Sequence, residues 1–289
     1  METILSHKDK KVVISPNHPF VMIGERINPT RRKKLAETIA NGDYSLAQAD
    51  AVAQMKAGAQ ALDINAGIPG ADEPALLRGA ALAVMEVVDM PLCFDSANPD
   101  ALAAALSVYP GRALINSTTA EPKMMDTVFP IAKQYSAAVI GVITDDKGLP
   151  ATPSDRLRVA ANLIKRAGDY GLRPEDIIID PLALTVSADH TAGRVTLDSI
   201  RLIQQELGVN MNLGASNVSF GLPDRKILNV AYLALAIANG LTTAITDPTV
   251  PEIQTALLAC DLLMGRDEYS MRWIKAFRSR EKAKAAQAQ

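Results

Sequence analysis

The sequence predicts an α/β chain, a (β/α)8 barrel whose bottom is plugged by a short N-terminal strand or hairpin. Three observations lead there. Eight short apolar runs recur along the chain: VMIGERIN, ALDINAG, LCFDSAN, ALINSTT, AAVIGVIT, IIIDPLA, MNLGASNVS and AAITDP. Their starts lie 20 to 40 residues apart, roughly the length of one strand–helix unit. Nearly every run ends in an acid, an amide or a hydroxyl. A parallel strand covered on both faces stays apolar throughout, so polar residues repeated at one end mark ends that converge. In a closed barrel that end is the C-terminal rim, where active sites sit.

Taken in order, residues 1–20 stand outside the repeat. Their VVI stretch, between Lys10-Lys11 and Ser15-Pro16-Asn17, reads as a small strand or hairpin across the barrel bottom. The polar ends then fall at Glu25 and Asn28, Asp63 and Asn65, Asp95 and Asn98, and Asn116 and Ser117. They continue at Thr144, Asp180, Asn217 and Asp247. Helical patterns with recognisable ends lie between the runs. Asn98-Pro99-Asp100 supplies an N-cap, a first-turn proline and an acid near the positive helix end, and Pro110-Gly111 stops the helix that follows. Thr152-Pro153-Ser154-Asp155 opens RLRVAANLIKRAGDYG, with Leu157, Ala160, Ala161 and Ile164 on one face and Gly171 beyond it. TLDSIRLIQQELG, DRKILNVAYLALAIANG and PEIQTALLACDLLMG behave alike. The tail RSREKAKAAQAQ reads as a frayed helix end. No interdomain linker is visible. Residues 1–289 are expected to form one domain: plug 1–20, barrel 21–270 and tail 271–289. An open doubly wound sheet is the structural rival, but its GxGxxG fingerprint after the first strand is missing.

Composition narrows the function. The chain is 48% hydrophobic and 21% charged, the balance of a globular protein with ample core. A net charge of -2 and a pI near 6.0 argue against nucleic-acid binding, which calls for a basic stripe. Two cysteines, Cys93 and Cys260, fit a reducing compartment without a disulfide framework. With three histidines spread apart from them, no zinc-type ligand spacing exists, and no metal site is expected. METILSHKDK lacks an apolar signal core, and no run approaches the ~20 apolar residues of a membrane span. The expected address is cytoplasmic.

At the rim, several chemistries lack their residues. There is no GxxxxGK[ST] phosphate loop and no GxSxG elbow. No lysine ends a strand, which leaves a Schiff-base reading without a nucleophile; Lys147 lies in the loop beyond. His190, in SADHTAG, is the one histidine near the rim and reads as a solvated loop residue. SADHTAG differs from the DxHxxG cobalt-ligating box because Asp189 and His190 are adjacent. What remains is a ring of carboxylates and carboxamides. Such a ring suits a flat, nitrogen-rich heterocycle such as a 2-amino-4-oxo pterin, whose 2-amino group and N3–H one carboxylate can hold together. A divalent-metal site is the competing use of the acids, made less natural by Asn65, Asn116 and Asn217. Any single rim acid could equally serve as a helix cap.

With these segments quoted, the chain resembles the methyltetrahydrofolate:corrinoid methyltransferase family of pterin-binding enzymes. The family's IGERIN stands at Ile23–Asn28, LDxNxG at Leu62–Gly67 and LCxDSxN at Leu92–Asn98. INST stands at Ile115–Thr118, IDPL at Ile179–Leu182 and SNVS at Ser216–Ser219. These matches, in order, cover roughly residues 20–280. The resemblance implies a (β/α)8 TIM barrel, usually a homodimer, holding folate at its mouth. It implies that Asp95, Asn116 and Asp180 hold the pterin edge, Asp180 taking the 2-amino/N3 pair. It assigns Asn217 to N5, the nitrogen that carries the methyl group, and Asp63, Asn65 and Ser219 as further ligands or supports. Arg225 matches an arginine that follows SNVS, and Phe220 replaces a glutamine of some members.

The implied activity is methyl transfer, in either direction, between N5 of tetrahydrofolate (or 5-methyltetrahydrofolate) and the cobalt of a corrinoid. No corrinoid-binding domain is visible in these 289 residues, so the cobalamin is expected on a partner corrinoid protein. That partner is expected to dock on the rim loops Asn28–Arg32, Asp145–Thr152 and Phe220–Arg225, with Arg31 and Arg32 as charged contacts. The alternative is a folate-binding or scaffold subunit without turnover; Asn217 beside Asp180 favours the enzyme. Dihydropteroate synthase shares the barrel but needs basic residues for a pyrophosphate at the ends of the seventh and eighth strands. Here those ends read GASN and ITDP.

Overall fold

A computed structural model describes residues 1–287 of the chain. The first two strands, β1 (Thr3–His7) and β2 (Lys10–Ile14), form an antiparallel hairpin. Parallel strands β3 (Val21–Ile27), β4 (Ala61–Asn65) and β5 (Leu92–Asp95) follow. The two-residue β6 (Gly111–Arg112) leaves the barrel to pair with β1. Then come β7 (Leu114–Thr119), β8 (Ala138–Val142), β9 (Ile177–Asp180) and β10 (Thr243–Thr246). The seven barrel strands run in the order β10-β3-β4-β5-β7-β8-β9.

Residues 210–214 fill the gap between β9 and β10. Asn212 donates its backbone N–H to Ile179 O at 2.9 Å, and Ile245 donates to Leu213 O at 2.9 Å. This short extended segment is the seventh run, and it closes the ring. The run was expected to stay extended through Ser219. Instead, Ala215–Ser219 coils into a 3-10 helix, because the Asn217 N–H turns back to Gly214 O (3.2 Å) and the Phe220 N–H to Asn217 O (3.1 Å).

Helices α1 (Lys33–Ala40), α2 (Ser45–Lys56), α3 (Glu73–Val87), α4 (Pro99–Leu106) and α5 (Pro122–Gln134) pack outside the first strands. They are followed by α6 (Pro153–Asp169), α7 (Ala192–Leu207), α8 (Arg225–Ala238), α9 (Pro251–Leu263) and α10 (Met271–Gln287). The caps read from sequence hold. Asn98 Oδ1 accepts from the Asp100 N–H at 3.0 Å, and Thr152 Oγ1 from the Asp155 N–H at 3.1 Å. The buried stripe of α6 is Arg156, Val159, Ala160, Leu163 and Ala167, rotated from the expected Leu157, Ala160, Ala161 and Ile164. An arginine in a buried face escapes any apolar pattern; this one is satisfied by Pro150 O, Pro181 O and Thr196 Oγ1. The tail is helical to Gln287, and its last two expected residues, 288–289, lie outside the described residues. Among the described residues no helix is long and apolar enough to cross a membrane.

Strand alternation builds two cores. Outward residues such as Leu62, Phe94 and Ile179 meet the helices. Inward residues Val21, Ile23, Ala61, Cys93, Leu114, Ala138, Ile140 and Ile178 form a separate cluster, sealed below by Leu5 and Ile14 of the hairpin. Asn210 ties the plug down by donating to Thr3 Oγ1 (3.0 Å) and Ile14 O (2.8 Å).

Candidate active site at the barrel mouth

Side chains on one strand face repeat every two residues. Two positions beyond the apolar layer, the inward face turns polar: Ile23 gives way to Glu25, Ala61 to Asp63, Cys93 to Asp95, Leu114 to Asn116 and Ile178 to Asp180. These residues line a cavity of about 490 Å³ at the C-terminal rim, within the range of small-molecule sites. Asn217 lines it from the 3-10 turn and Asp247 from the end of β10.

The three aspartates of the floor are each held by an asparagine. Asn116 Nδ2 donates to Asp63 Oδ1 at 3.1 Å, Asn65 Nδ2 to Asp95 Oδ2 at 3.0 Å, and Asn212 Nδ2 to Asp180 Oδ2 at 2.8 Å. The other oxygen of Asp180 accepts from the Leu182 N–H at 2.8 Å. Burial pushes Asp180 up to about 6, opposed by these bonds from Leu182, Asn212 and the Gly214 backbone. Burial and then the neighbouring Asp95 hold Asp63 well above the usual carboxylate range. Asp95 is raised by its own burial. An aspartate floor that is costly to ionise when empty is one that gains from a ligand bringing N–H donors. Asn212 Oδ1 points the same way: it is buried with no hydrogen-bond partner on a residue that lines the cavity.

On the opposite wall, Arg26 donates to Asp247 at 2.9 Å and lies 3.6 Å from Asp50, which also binds Arg32 at 2.6 Å. A guanidinium therefore does reach the eighth strand's end, from β3, but carboxylates neutralise it. Burial works against the Asp247 charge, yet Thr249 and Arg26 outweigh it and hold that carboxyl below its ordinary range. Arg32, expected as a charged docking contact, is tied to Asp50 at the rim. Arg31 lies over the Phe220 ring at 4.7 Å and Arg225 at 5.8 Å.

Of the site residues expected from sequence, Asp63, Asp95, Asn116, Asp180 and Asn217 line the cavity together. Asn65 stands behind Asp95, with its Oδ1 accepting from the Gly67 N–H at 2.8 Å. Ser219 is buried beneath the turn. Arg225 is exposed and braces that turn, donating to Ser219 Oγ (3.0 Å) and Ser216 O (2.7 Å). Asn98 is consumed as the cap of α4, and at the end of β8 it is Val142, not Thr144, that lines the mouth. Glu25 and Asp247, expected only as polar strand ends of the rim, line the cavity too, whereas Arg26 and Asn212 were missed. An amide inside an otherwise apolar run was the available signal for Asn212, because a buried amide needs partners.

Residues 24–247 match the model of the pterin binding enzyme family. The chain belongs to the pterin-binding enzymes. Over 267 residues this pterin-binding barrel is 30% identical to the methylcorrinoid:tetrahydrofolate methyltransferase of Eubacterium limosum, covering 90% of this chain and 96% of that one. Methionine synthases of Mycobacterium leprae and Mycobacterium tuberculosis match at 30% and 29% identity over 85% of this chain, which spans only 22% of their length. Among solved structures, a Xanthomonas albilineans dihydropteroate synthase with 4-aminobenzoic acid aligns with a TM-score of 0.68 over 91% of this chain and 98% of that one. At 18% identity that likeness speaks for the barrel alone.

Proposed function

We propose that this protein moves a methyl group between N5 of tetrahydrofolate and the cobalt of a corrinoid carried on another module. The observation that carries this is the Asp180–Asn212 pair at the cavity floor. Asp180 accepts from Leu182, Asn212 and the Gly214 backbone and still faces the cavity, with acceptor capacity left on its carboxylate. A floor carboxylate with acceptor capacity left, steadied by a neighbouring amide, fits the 2-amino/N3–H edge of a pterin. The family match and the Eubacterium relative point to the same substrate.

In this reading Asp180, Asn116 and Asp95 hold the pterin, and Asp63 and Asn65 support them through the asparagine bonds. The Asn217 side-chain amide makes no hydrogen bond within the protein, and the residue lines the cavity, so that amide is free to donate to N5. Such a bond strengthens as negative charge develops on the departing nitrogen, which lowers the barrier rather than only tightening binding. The corrinoid supplies cobalt as methyl donor or acceptor. Ser219 and Arg225 fix the turn that presents Asn217.

A pyrophosphate-displacing chemistry of the dihydropteroate synthase kind is disfavoured, because Arg26 and Arg32 at the mouth are already neutralised by Asp247 and Asp50. The corrinoid partner would dock on the rim, with Arg31 beside the exposed Phe220 as a contact. A homodimer is also part of the proposal, supported by the stretch of α8 beyond its exposed Arg225 and Lys226, where Ile227 is 72% and Leu235 53% exposed. So are the division of residues 1–289 into plug, barrel and tail as one domain and a cytoplasmic role in one-carbon metabolism, which the two unpaired cysteines suit. The test is anaerobic incubation with free methylcobalamin and tetrahydrofolate. Protein-dependent loss of the methylcobalamin absorbance is expected; folate binding without that loss would leave a binding subunit instead.

A further inference from the structure

We propose that Glu25 supplies and removes the proton at the folate nitrogen. The assignment rests on the methyl-transfer reading above and adds what that reading lacks, because the Asn217 amide can donate a hydrogen bond but cannot give up a proton.

Five acids line the cavity, Glu25, Asp63, Asp95, Asp180 and Asp247, and four are committed. Asp63, Asp95 and Asp180 each accept from an asparagine, and Asp247 is paired with Arg26. Glu25 has neither an amide nor a cation in contact. Its single protein hydrogen bond comes from Ser216 Oγ to Oε1 at 3.1 Å. Ser216 immediately precedes Asn217, which places the uncommitted acid beside the residue assigned to N5.

The charges that face Glu25 come from several elements: Asp247 at the end of β10, Arg225 at the start of α8, Arg26 beside it on β3, and Asp63 on β4. Burial outweighs the rest and moves Glu25 up to about 7, with Ser216 pulling the other way. An acid poised near the working pH is the efficient proton carrier.

Toward the corrinoid, the N5–methyl bond breaks and the cobalt electron pair forms the new bond to carbon. The N5 pair then takes the Glu25 proton through water in the mouth. In the opposite direction the N5 pair bonds the methyl carbon, the old carbon–cobalt pair stays on cobalt, and the N5 proton passes to the Glu25 carboxylate. Solvent resets Glu25 in both cases.

The test follows methyl transfer from free methylcobalamin to tetrahydrofolate, without oxygen, from about pH 5.5 to 8.5. In this direction the wild-type rate should rise through about pH 7. Glu25→Gln should lose that limb and run roughly 10- to 100-fold slower at the alkaline end. Glu25→Asp should keep a limb, and Ser216→Ala should move it to higher pH by removing the bond that lowers the Glu25 pKa. Calorimetric affinity of Glu25→Gln for tetrahydrofolate should stay within about threefold of wild type, a difference well under 1.4 kcal/mol. A Glu25→Gln enzyme that keeps both limb and rate overturns the proposal. So does one that loses affinity as much as rate, which would make Glu25 a support of the 216–219 turn. A wild type that transfers no methyl overturns the functional reading itself, and the assignment with it.

Discussion

Replacing Asp180 by asparagine keeps the shape of the side chain and removes one acceptor. In the native site each Asp180 oxygen already takes one protein N–H, from Leu182 and Asn212, both at 2.8 Å. Turned toward Asn212, the new NH2 can be accepted by that residue's unpartnered Oδ1 once its amide flips, so the structure accommodates the change, but a pterin edge finds one acceptor where it needs two. A hydrogen bond to a charged group contributes about 1.5–3 kcal/mol net. The loss should therefore be about 1.5–3 kcal/mol, or roughly 10- to 150-fold in affinity. The pH dependence sharpens the test. Asp180 titrates near 6 in the empty site, and only its ionised form offers both acceptors. Wild-type affinity should therefore weaken as pH falls through about 6, by up to tenfold per pH unit. The asparagine variant should lose that part of the dependence, and the difference between the two curves isolates Asp180 from the other raised acids. Anaerobic calorimetry with tetrahydrofolate reads both effects. Affinity within about threefold of wild type, with an unchanged pH curve, would remove Asp180 from the pterin edge.

Four other outcomes follow from the geometry. Asn217→Ala should slow methyl transfer roughly 10- to 100-fold while tetrahydrofolate affinity changes less, as single-turnover rates beside calorimetry will show. In Gly214→Ala the new Cβ would sit 3.0 Å from Asn217 Nδ2, so it should displace the amide and reproduce the rate loss with the Asp180 contacts intact. Glu25→Gln should stabilise the fold at alkaline pH: with a pKa raised from 4.5 to about 7, wild-type Glu25 favours folding below 4.5 and loses that contribution as pH rises through 7. The gain above pH 7 should be about 3 kcal/mol, read from urea midpoints at two pH values. Arg31→Glu should weaken turnover with a cognate corrinoid protein but spare the reaction with free methylcobalamin; equal losses in the two assays would put Arg31 in the folate site.

The barrel was legible because its strands carry two signals at once. Apolar residues set the period, and an acid or amide appears where the inward face clears the core, as in Ala61-Leu62-Asp63 and Ile177-Ile178-Ile179-Asp180. Reading strand ends without strand faces overcounted the rim at Thr144, which lies beyond the inward Val142, whereas Asn98 is the helix cap that its Asn-Pro-Asp context announced. The same habit hid Asn212, which sits inside its run and enters the site only because it faces inward against Asp180. The ion pair of Arg32 was not legible because nothing local announces Asp50, which comes to it from α2, eighteen residues away. Contacts across the mouth depend on closure of the ring and have no signature in a single segment. The face of α6 failed for a related reason, since the partners of Arg156 include Pro181 and Thr196 from later units.

The most direct measurement of the central claim is transfer of a ¹³C-labelled methyl group from methylcobalamin to tetrahydrofolate, followed by mass spectrometry of the folate. The account predicts that label appears on tetrahydrofolate in step with demethylation of the corrinoid, that Asn217→Ala slows its appearance, and that Asp180→Asn requires more folate to restore it. A wild-type protein that binds tetrahydrofolate at this mouth yet leaves it unlabelled would contradict the account.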